Sequence, residues 1–450
     1  MYKILGFFLL SLYLTNGFQI WSPTSWRSKV IRQVPTYENK TELIKIEKRL
    51  RQKPPLIFAK ECENLKRDLA KVANGDAFVI MGGDCAETFD DFDTVTIRDL
   101  YKLLLQIGIL QTYASGKKTI KIARAAGQFA KPRSNDFETQ DNVTLPVFRG
   151  DIINSNEFTP EARKADPKRM LQAYDQSVET INLLRAFSSG GFASLHQLQK
   201  WNLLALQRNE LTNPKLIYGI NHALKFFDGL GLPFSHPLLS QTTLYTGHEC
   251  LLLHYEEALT RKDSLSKKYY DCSSHFIWIG DRTRDLDSAH VEFCRGVQNP
   301  IGIKISKETN VTELVQIMNT LNPTNEYGKI TLITRFGVDE IDEHFPPIIK
   351  TISKEIMNVV WCCDPMHGNG KNVNGTKTRY VEDIQQEIRS FFSILKLYNQ
   401  IPGGIHLEMT PLNVTECIHR EKNQTLDNYK TLCDPRLNPK QALSLFESSY

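Results

Sequence analysis

Apolar residues in this chain gather into short unbroken runs, and small or charged residues follow each run. The runs are AFVIMGGDCAE (77–87), KTIKIARAAG (118–127), QTTLYTGHE (241–249), HFIWIGDRTR (275–284), NPIGIKI (299–305), KITLITRFG (329–337), NVVWCCDPMHG (358–368) and GGIHLEMT (403–410). Continuous apolar runs of four to eight residues suit parallel strands buried on both faces, because a half-exposed strand would alternate. Most of the intervals repeat apolar residues at three and four, as in VEDIQQEIRSFFSILKLY (381–398), and predict amphipathic helices. Alternating strands and helices predict a parallel sheet, and eight of them predict an α/β fold, the (β/α)8 TIM barrel.

One interval is too long for a single helix. Residues 128–240, between the second and third strands, contain MLQAYDQSVETINLLRAF and LQKWNLLALQRNEL and predict a helical insertion. Ahead of the first strand, TELIKIEKRLRQ and KECENLKRDLAKVA predict an N-terminal helical extension over 41–76, which leaves 77–450 for the barrel.

The first forty residues differ from the rest. Lys3 precedes an apolar run from Ile4 to Leu14, which gives way to Thr15-Asn16-Gly17-Phe18. That order describes a secretory signal peptide over 1–17. The run is shorter than the roughly 20 apolar residues of a spanning helix, so no stable membrane span is expected. Residues 18–40 carry Arg27, Lys29 and Arg32, and FQIWSPTSWRSKVIRQVPTY has no acidic residue, so the segment looks transit-like. Together the two segments resemble the bipartite leaders of proteins sent into complex plastids through the secretory route. A plastid location is expected, with simple secretion as the rival.

Composition narrows the class. In 450 residues, 41% are hydrophobic and 24% charged, which excludes collagen-like and disordered chains. Lys+Arg 55 against Asp+Glu 51 gives a net charge of +4, too weak to imply a nucleic-acid partner. Nine cysteines cannot all pair within one molecule, which argues against an oxidised framework. A soluble enzyme fits best.

Barrel enzymes place their chemistry where strands end. Those ends carry Cys85 after the first strand, Arg124 at the second, Arg282 past the fourth and Lys304 at the fifth. Arg335 ends the sixth, His367 follows the seventh and Glu408 ends the eighth. Arg124, Arg282, Lys304 and Arg335 form a cation cluster that suits a highly anionic substrate, since guanidinium forks match phosphate and carboxylate. Lys131, Arg133 and Ser134 add donors enough for a second phosphate. No GxxxxGK[ST] loop or strand–GxGxxG–helix unit appears, so no nucleotide cofactor is implied. Cys85, His367 and Glu408, joined by Asp434, make a mixed soft and hard donor set for a catalytic divalent ion, with zinc, manganese, iron(II) and cobalt(II) all compatible.

Ten blocks of sequence then converge on one family. GGDCAETF (82–89), RAAGQFAKPRS (124–134), LPVFRGDIIN (145–154), DPKRMLQAYDQS (166–177) and NLLRAFSSGGFASLH (182–196) resemble class II (plant-type) DAHP synthases. HVEFCRGVQNPIGIKI (290–305), DPMHGN (364–369), GIHLEMT (404–410), NVTEC (413–417) and CDPRLN (433–438) do so as well. The resemblance runs from about residue 50 to 446. It implies condensation of phosphoenolpyruvate with erythrose 4-phosphate and water, the entry to the shikimate pathway. It places metal ligation on Cys85, His367, Glu408 and Asp434, and phosphoenolpyruvate on Arg124, Asp281, Arg282, Lys304 and Arg335. Lys131, Arg133 and Ser134 match the region of the aldose phosphate. The catalytic set expected is Arg124, Lys304, Cys85 and His367, with Lys304 as a proton shuttle, and the ion Mn2+ or Co2+ before Zn2+ or Fe2+. Family members form homo-oligomers and often respond to aromatic amino acids, so both are expected here. Two alternatives stand beside this reading: an inactive regulatory barrel, and a synthase for another phosphorylated aldose.

The chain departs from the family pattern at Asp281, where glutamate is usual, at Pro411, where glycine is usual, and at TRFG around Arg335, where VRMG is usual. Cys433, beside Asp434, is a candidate redox partner of Cys85, and Cys362-Cys363 is expected to be ordinary core.

Overall fold

All eight apolar runs are strands of one closed, wholly parallel barrel in the computed structural model, which describes residues 21–231, 236, 240–421 and 425–447. The strands are β1 (Ala77–Gly83), β2 (Lys118–Arg124), β3 (Leu244–Glu249), β4 (Phe276–Ile279), β5 (Ile301–Ile305), β6 (Ile330–Thr334), β7 (Val360–Cys363) and β8 (Pro402–Glu408). Each pairs with its neighbours in sequence, and β1 closes on β8 with Gly83 opposite Glu408. β1, β4, β5, β6 and β7 are buried along their whole length, which is why they read as unbroken apolar runs.

Two cores flank the sheet. Inside the barrel, Val79, Met81, Ile122, Phe276, Ile333 and Cys362 pack with Leu65, Leu69 and Val72. Those last three are the apolar stripe of helix α2 (Ala59–Ala73), which lies in the extension after α1 (Lys40–Gln52) and closes the N-terminal end of the barrel. Each is fully buried, an arrangement that contributes about 2 kcal/mol per side chain. Outside, the opposite strand faces pack against helices α3 (Thr94–Ser115), α8 (Ala289–Gly296), α9 (Val311–Leu321), α10 (Ile341–Lys354), α11 (Val381–Leu397) and α12 (Pro439–Glu447). Cys362 faces the inner core and Cys363 the outer one, both fully buried, so the pair is core as expected.

The interval 128–240 is helical from Arg169 onward, preceded by a single helical turn at Pro160–Arg163. Helices α4 (Arg169–Ser189), α5 (Leu195–Gln207) and α6 (Pro214–Gly229) follow a stretch that holds an antiparallel hairpin, Phe137–Gln140 against Val143–Pro146. Its turn residues Asp141 and Asn142 have φ of +47° and +63°, and short polar side chains tolerate that conformation. A short helix α7 (Leu253–Leu259) follows β3.

The expected signal peptide over 1–17 lies outside the described residues. Of the transit-like segment 18–40, residues from Trp21 onward pack on the barrel wall. Trp26 is buried, and Arg27 pairs with Glu257 at 2.6 Å and Glu47 at 2.7 Å. Up to Tyr37 the segment has no acidic residue, and the partners of its Arg27 sit elsewhere in the fold.

Candidate active site and metal centre

Backbone contacts at the strand exits bring distant side chains together. Gly83 ends β1 at φ +149°, and a Cβ there would lie 2.6 Å from the Arg124 carbonyl. Only glycine lets the two exits approach so closely, and this sets Asp84 and Cys85 above the barrel. The half-buried Glu87 carboxylate then accepts from the amides of Ala126 (2.9 Å), Gly127 (2.9 Å) and Gln128 (2.7 Å), locking the loop after β1 to the loop after β2. Past β6 and β7, Gly337 and Gly368 meet backbone to backbone, and Arg335 donates to the His367 carbonyl at 3.4 Å. Arg436 holds the Asp434 segment in place through a buried fork to Glu416, at 3.0 and 2.8 Å.

The donors selected from the sequence converge on one point. One ligand atom each of Cys85, Glu408 and Asp434 lies within 4.8 Å of the other two, and all three residues are buried. His367 stands at the edge of this group, its Nε2 3.0 Å from Glu408 Oε1. The chain places a cation of its own at the centre. Lys131 Nζ lies 2.8 Å from Cys85 Sγ, 2.8 Å from Glu408 Oε1, 2.6 Å from Asp434 Oδ2 and 3.3 Å from His367 Nε2. One thiol, one imidazole and two carboxylates around a buried ammonium form a set that fits a divalent ion. Asp364 holds the far nitrogen of the ring, with Oδ2 2.7 Å from His367 Nδ1, as outer partners of metal-binding histidines do.

A cavity of about 400 Å3 opens beside this group, within the rough range of small-molecule sites. Lys131, Arg133, Ser134, Asp281, Arg282, Lys304, Arg335, His367 and Asp434, all expected from the sequence, line it. Arg282 donates to Ser134 Oγ at 2.8 Å, bridging the loops after β4 and β2. Asp281 is turned to its own side of the site: it accepts from Arg335 and Ser306, both at 3.0 Å, and from Arg284 at 3.2 Å. It orients Arg335. Arg124 does not line this cavity. It is 2% exposed and donates to the carbonyls of Asp84 (2.9 Å) and Cys85 (3.1 Å) and to Glu408 at 3.4 Å, so it braces the donor group from beneath.

Charge follows geometry. Burial alone would raise the Glu408 carboxyl, but His367, Lys131 and Arg379 hold it well below the usual range. Asp434 is likewise held down against burial, chiefly by Lys131. Burial, then Asp364 and Arg124 in opposite senses, leaves Lys304 lowered; burial exceeds the neighbouring cations as the cause. Burial, a hydrogen bond with Cys433 and the Glu408 charge raise the Cys85 thiol, and the same contact lowers Cys433. The two thiols thus perturb one another's titration in opposite senses, and both are free.

Sequence reasoning missed four groups. Glu249 ends β3 and lines the cavity, and the strand-end rule reaches it once β3 is read to its last residue. Asp364 sits within the quoted DPMHGN block. His406 lies two residues before Glu408 and contacts Arg124 through the ring. Arg379, whose guanidinium is 2.9 Å from Glu408 Oε2, comes from a loop before α11 and carries no strand-end signal.

The sequence model of the Class-II DAHP synthetase family matches residues 21–447. The phospho-2-dehydro-3-deoxyheptonate aldolase of Streptomyces coelicolor is 42% identical over 429 residues, covering 94% of this chain and 95% of that protein. The protein of the same name from Neurospora crassa is 42% identical over 448 residues, covering 94% and 92%. Among solved structures, phospho-2-dehydro-3-deoxyheptonate aldolase from Francisella tularensis SCHU S4 matches with a TM-score of 0.50 at 15% identity, over 93% of this chain and 96% of that one. At that identity the structural match speaks for the barrel fold alone.

Proposed function

The chain belongs to the class-II DAHP synthetase family, and on that premise we infer that its barrel mouth condenses phosphoenolpyruvate with D-erythrose 4-phosphate and water. The products are 3-deoxy-D-arabino-heptulosonate 7-phosphate and inorganic phosphate, which makes the enzyme a transferase at the head of the shikimate pathway. One observation carries the reading. Arg133, Arg282, Lys304 and Arg335 line one cavity whose wall includes Asp434 and His367 of the donor group. Two phosphates and a carboxylate need such a cluster, and without anions it would repel itself.

A divalent ion held by Cys85, His367, Glu408 and Asp434, Mn2+ or Co2+ before Zn2+ or Fe2+, supplies Lewis-acid polarisation of the aldehyde oxygen. The chain's own residues do the rest. Arg282, Arg335 and Lys304 take the phosphate and carboxylate of phosphoenolpyruvate, while Arg133 and Ser134 take the aldose phosphate. The Arg282–Ser134 contact makes the two subsites share an edge, so catalysis owes much to positioning. The methylene carbon of phosphoenolpyruvate bonds to the aldehyde carbon, and the aldehyde oxygen gains a proton. Water oxygen bonds to the carbon bearing phosphate and gives up one proton, which balances that gained by the aldehyde oxygen; the bond from this carbon to the phosphate oxygen then breaks, and phosphate leaves with the second proton as the ketone forms. Lys304 contacts Asp364, which also contacts His367, so a proton path runs from the cavity to the imidazole.

Release of phosphate from the two substrates, with and without a chelator, tests this function. Activity that survives complete metal removal overturns the metal assignment, as do Cys85→Ala and His367→Ala proteins with undiminished metal content and rate. No release with either substrate pair supports the regulatory alternative, and release with other aldoses the second one. The reading includes a homo-oligomer, supported by exposed Leu204, Tyr218 and Phe226 on α5 and α6, and an aromatic amino acid effector; light scattering and rate measurements with added amino acids test them. It also includes plastid import, tested by imaging a fusion of residues 1–60 to a fluorescent protein. No helix among the described residues is long and apolar enough to cross a membrane.

A further inference from the structure

Two observations about the segment before α1 belong together. It is anchored at several points, and its one positive-φ residue, Gln33, bonds a loop that lines the substrate cavity. Trp21 donates from Nε1 to the Glu292 carbonyl at 2.9 Å and stacks edge-on against Tyr269 with ring centres 5.2 Å apart. Trp26 Nε1 donates to Glu257 Oε2 at 3.0 Å, and Arg27 lies over the Trp26 ring at 4.7 Å. Val30 then pairs with Ser288, and its carbonyl accepts from the Ala289 amide at 2.9 Å, where α8 begins eight residues beyond Asp281. A buried tryptophan, a half-buried one and charge-assisted pairs of this kind hold a chain in place.

Three residues on, Gln33 has φ of +63°. That conformation costs a non-glycine residue about 1 kcal/mol and persists only where the surroundings impose it. Here the imposition is visible. Gln33 Oε1 accepts from the Arg133 backbone amide at 2.8 Å and from Arg149 Nη1 at 3.0 Å. Arg149 in turn holds the same loop from its other side, since its carbonyl accepts from the Lys131 amide at 2.9 Å. One side-chain oxygen thus joins the Arg133 amide to the side chain of Arg149, whose backbone holds the loop at Lys131.

We propose that residues 21–36 are a strap retained in the working enzyme, and that Gln33 is a positioning residue for the loop that receives the aldose phosphate. The strap spans the two loops that share the cavity edge: it is fixed to the β4 loop and α8 at Val30, and to the β2 loop at Gln33. Any processing of the leader must then cut before Trp21. The proposal rests on the condensation reading for the identity of the substrate, not for the strap itself.

The test uses the full chain with bound metal and three variants of one residue. Gln33→Ala removes the acceptor and is expected to raise KM for erythrose 4-phosphate about tenfold. KM for phosphoenolpyruvate, kcat and Tm should stay close to wild type. Amide exchange across residues 131–136 should accelerate in the same protein. Gln33→Glu retains an acceptor for both donors and should restore KM and exchange, whereas Gln33→Leu should behave as Gln33→Ala. Unchanged KM values overturn the proposal. So does a parallel shift of both KM values with Tm, which would mark a merely structural role. If wild-type protein releases no phosphate, the function fails, and exchange at residues 131–136 still decides the strap.

Discussion

The Lys131 ammonium lies 2.8 Å from Glu408 Oε1, at the centre of the donors that suit a divalent ion. Removing that ammonium leaves Glu408, 0% exposed, and Asp434 short of a buried partner. Breaking a buried pair costs about 3 kcal/mol. Lys131→Met should therefore lower Tm by several degrees in chelator, and added Mn2+ should narrow the gap, because the ion compensates the same carboxylates. An equal Tm deficit with and without metal would refute this account of Lys131. The comparison needs only thermal unfolding.

Asp281 is where this chain parts from the usual glutamate, and its carboxylate is the acceptor that orients Arg335. Losing a charge-assisted hydrogen bond costs about 2 kcal/mol, or roughly thirtyfold in an equilibrium constant. Asp281→Asn keeps the shape and removes the charge, so KM for phosphoenolpyruvate should rise about ten- to thirtyfold while KM for the aldose changes little. Asp281→Glu should remain within a few-fold of wild type. Steady-state kinetics with each substrate varied in turn would expose either failure.

How much of this site can be read from sequence follows from period and geometry. Parallel strands buried on both faces announce themselves as runs, so the barrel and the residues at its exits, from Cys85 to Glu408, are legible. What one residue type cannot announce is which way it faces. Arg124 carries the same strand-end signal as Lys304, yet it braces Glu408 from below while Lys304 lines the cavity. Arg379 has no periodic signal at all, because its place depends on how a loop folds back over the mouth. The basic composition around Arg27 is ambiguous for a related reason: its partners Glu47 and Glu257 are twenty and more than two hundred residues away.

Lys329 sets a pH dependence at the other end of the barrel. It donates to the carbonyls of Val297 and Asn299, both at 2.7 Å, and burial, aided by Lys66, lowers it to about 7. Between pH 7 and its ordinary value of 10.5, the unfolded chain binds this proton and the folded chain does not. Stability attributable to this group therefore rises with pH across that window, by at most about 1.4 kcal/mol per pH unit. Lys329→Met should flatten the slope. Denaturant unfolding of both proteins at several pH values between 7 and 10 measures it, and parallel pH curves would contradict the assignment.

Glu249 ends β3 inside the substrate cavity, and its Oε1 is buried with no hydrogen-bond partner. Burial raises its carboxyl above the ordinary 4.5, against the pull of Lys131, Lys304, His367 and Arg124. A folded state that keeps the proton to higher pH than the unfolded chain loses relative stability as pH rises through that window. Such a carboxylate, with its Oε1 free of any hydrogen bond, is suited to accept a proton from the water that adds to phosphoenolpyruvate. Glu249→Gln keeps the volume and abolishes the titration. It should be more stable than wild type at pH 8, with the advantage shrinking toward pH 4.5. Phosphate release should fall about a hundredfold or more, the typical contribution of a positioned base. KM for phosphoenolpyruvate should change far less than kcat, since the cations that bind it are untouched. A variant that gains stability equally at both pH values, or that keeps its rate, would remove Glu249 from the chemistry and leave it a neutral lining group.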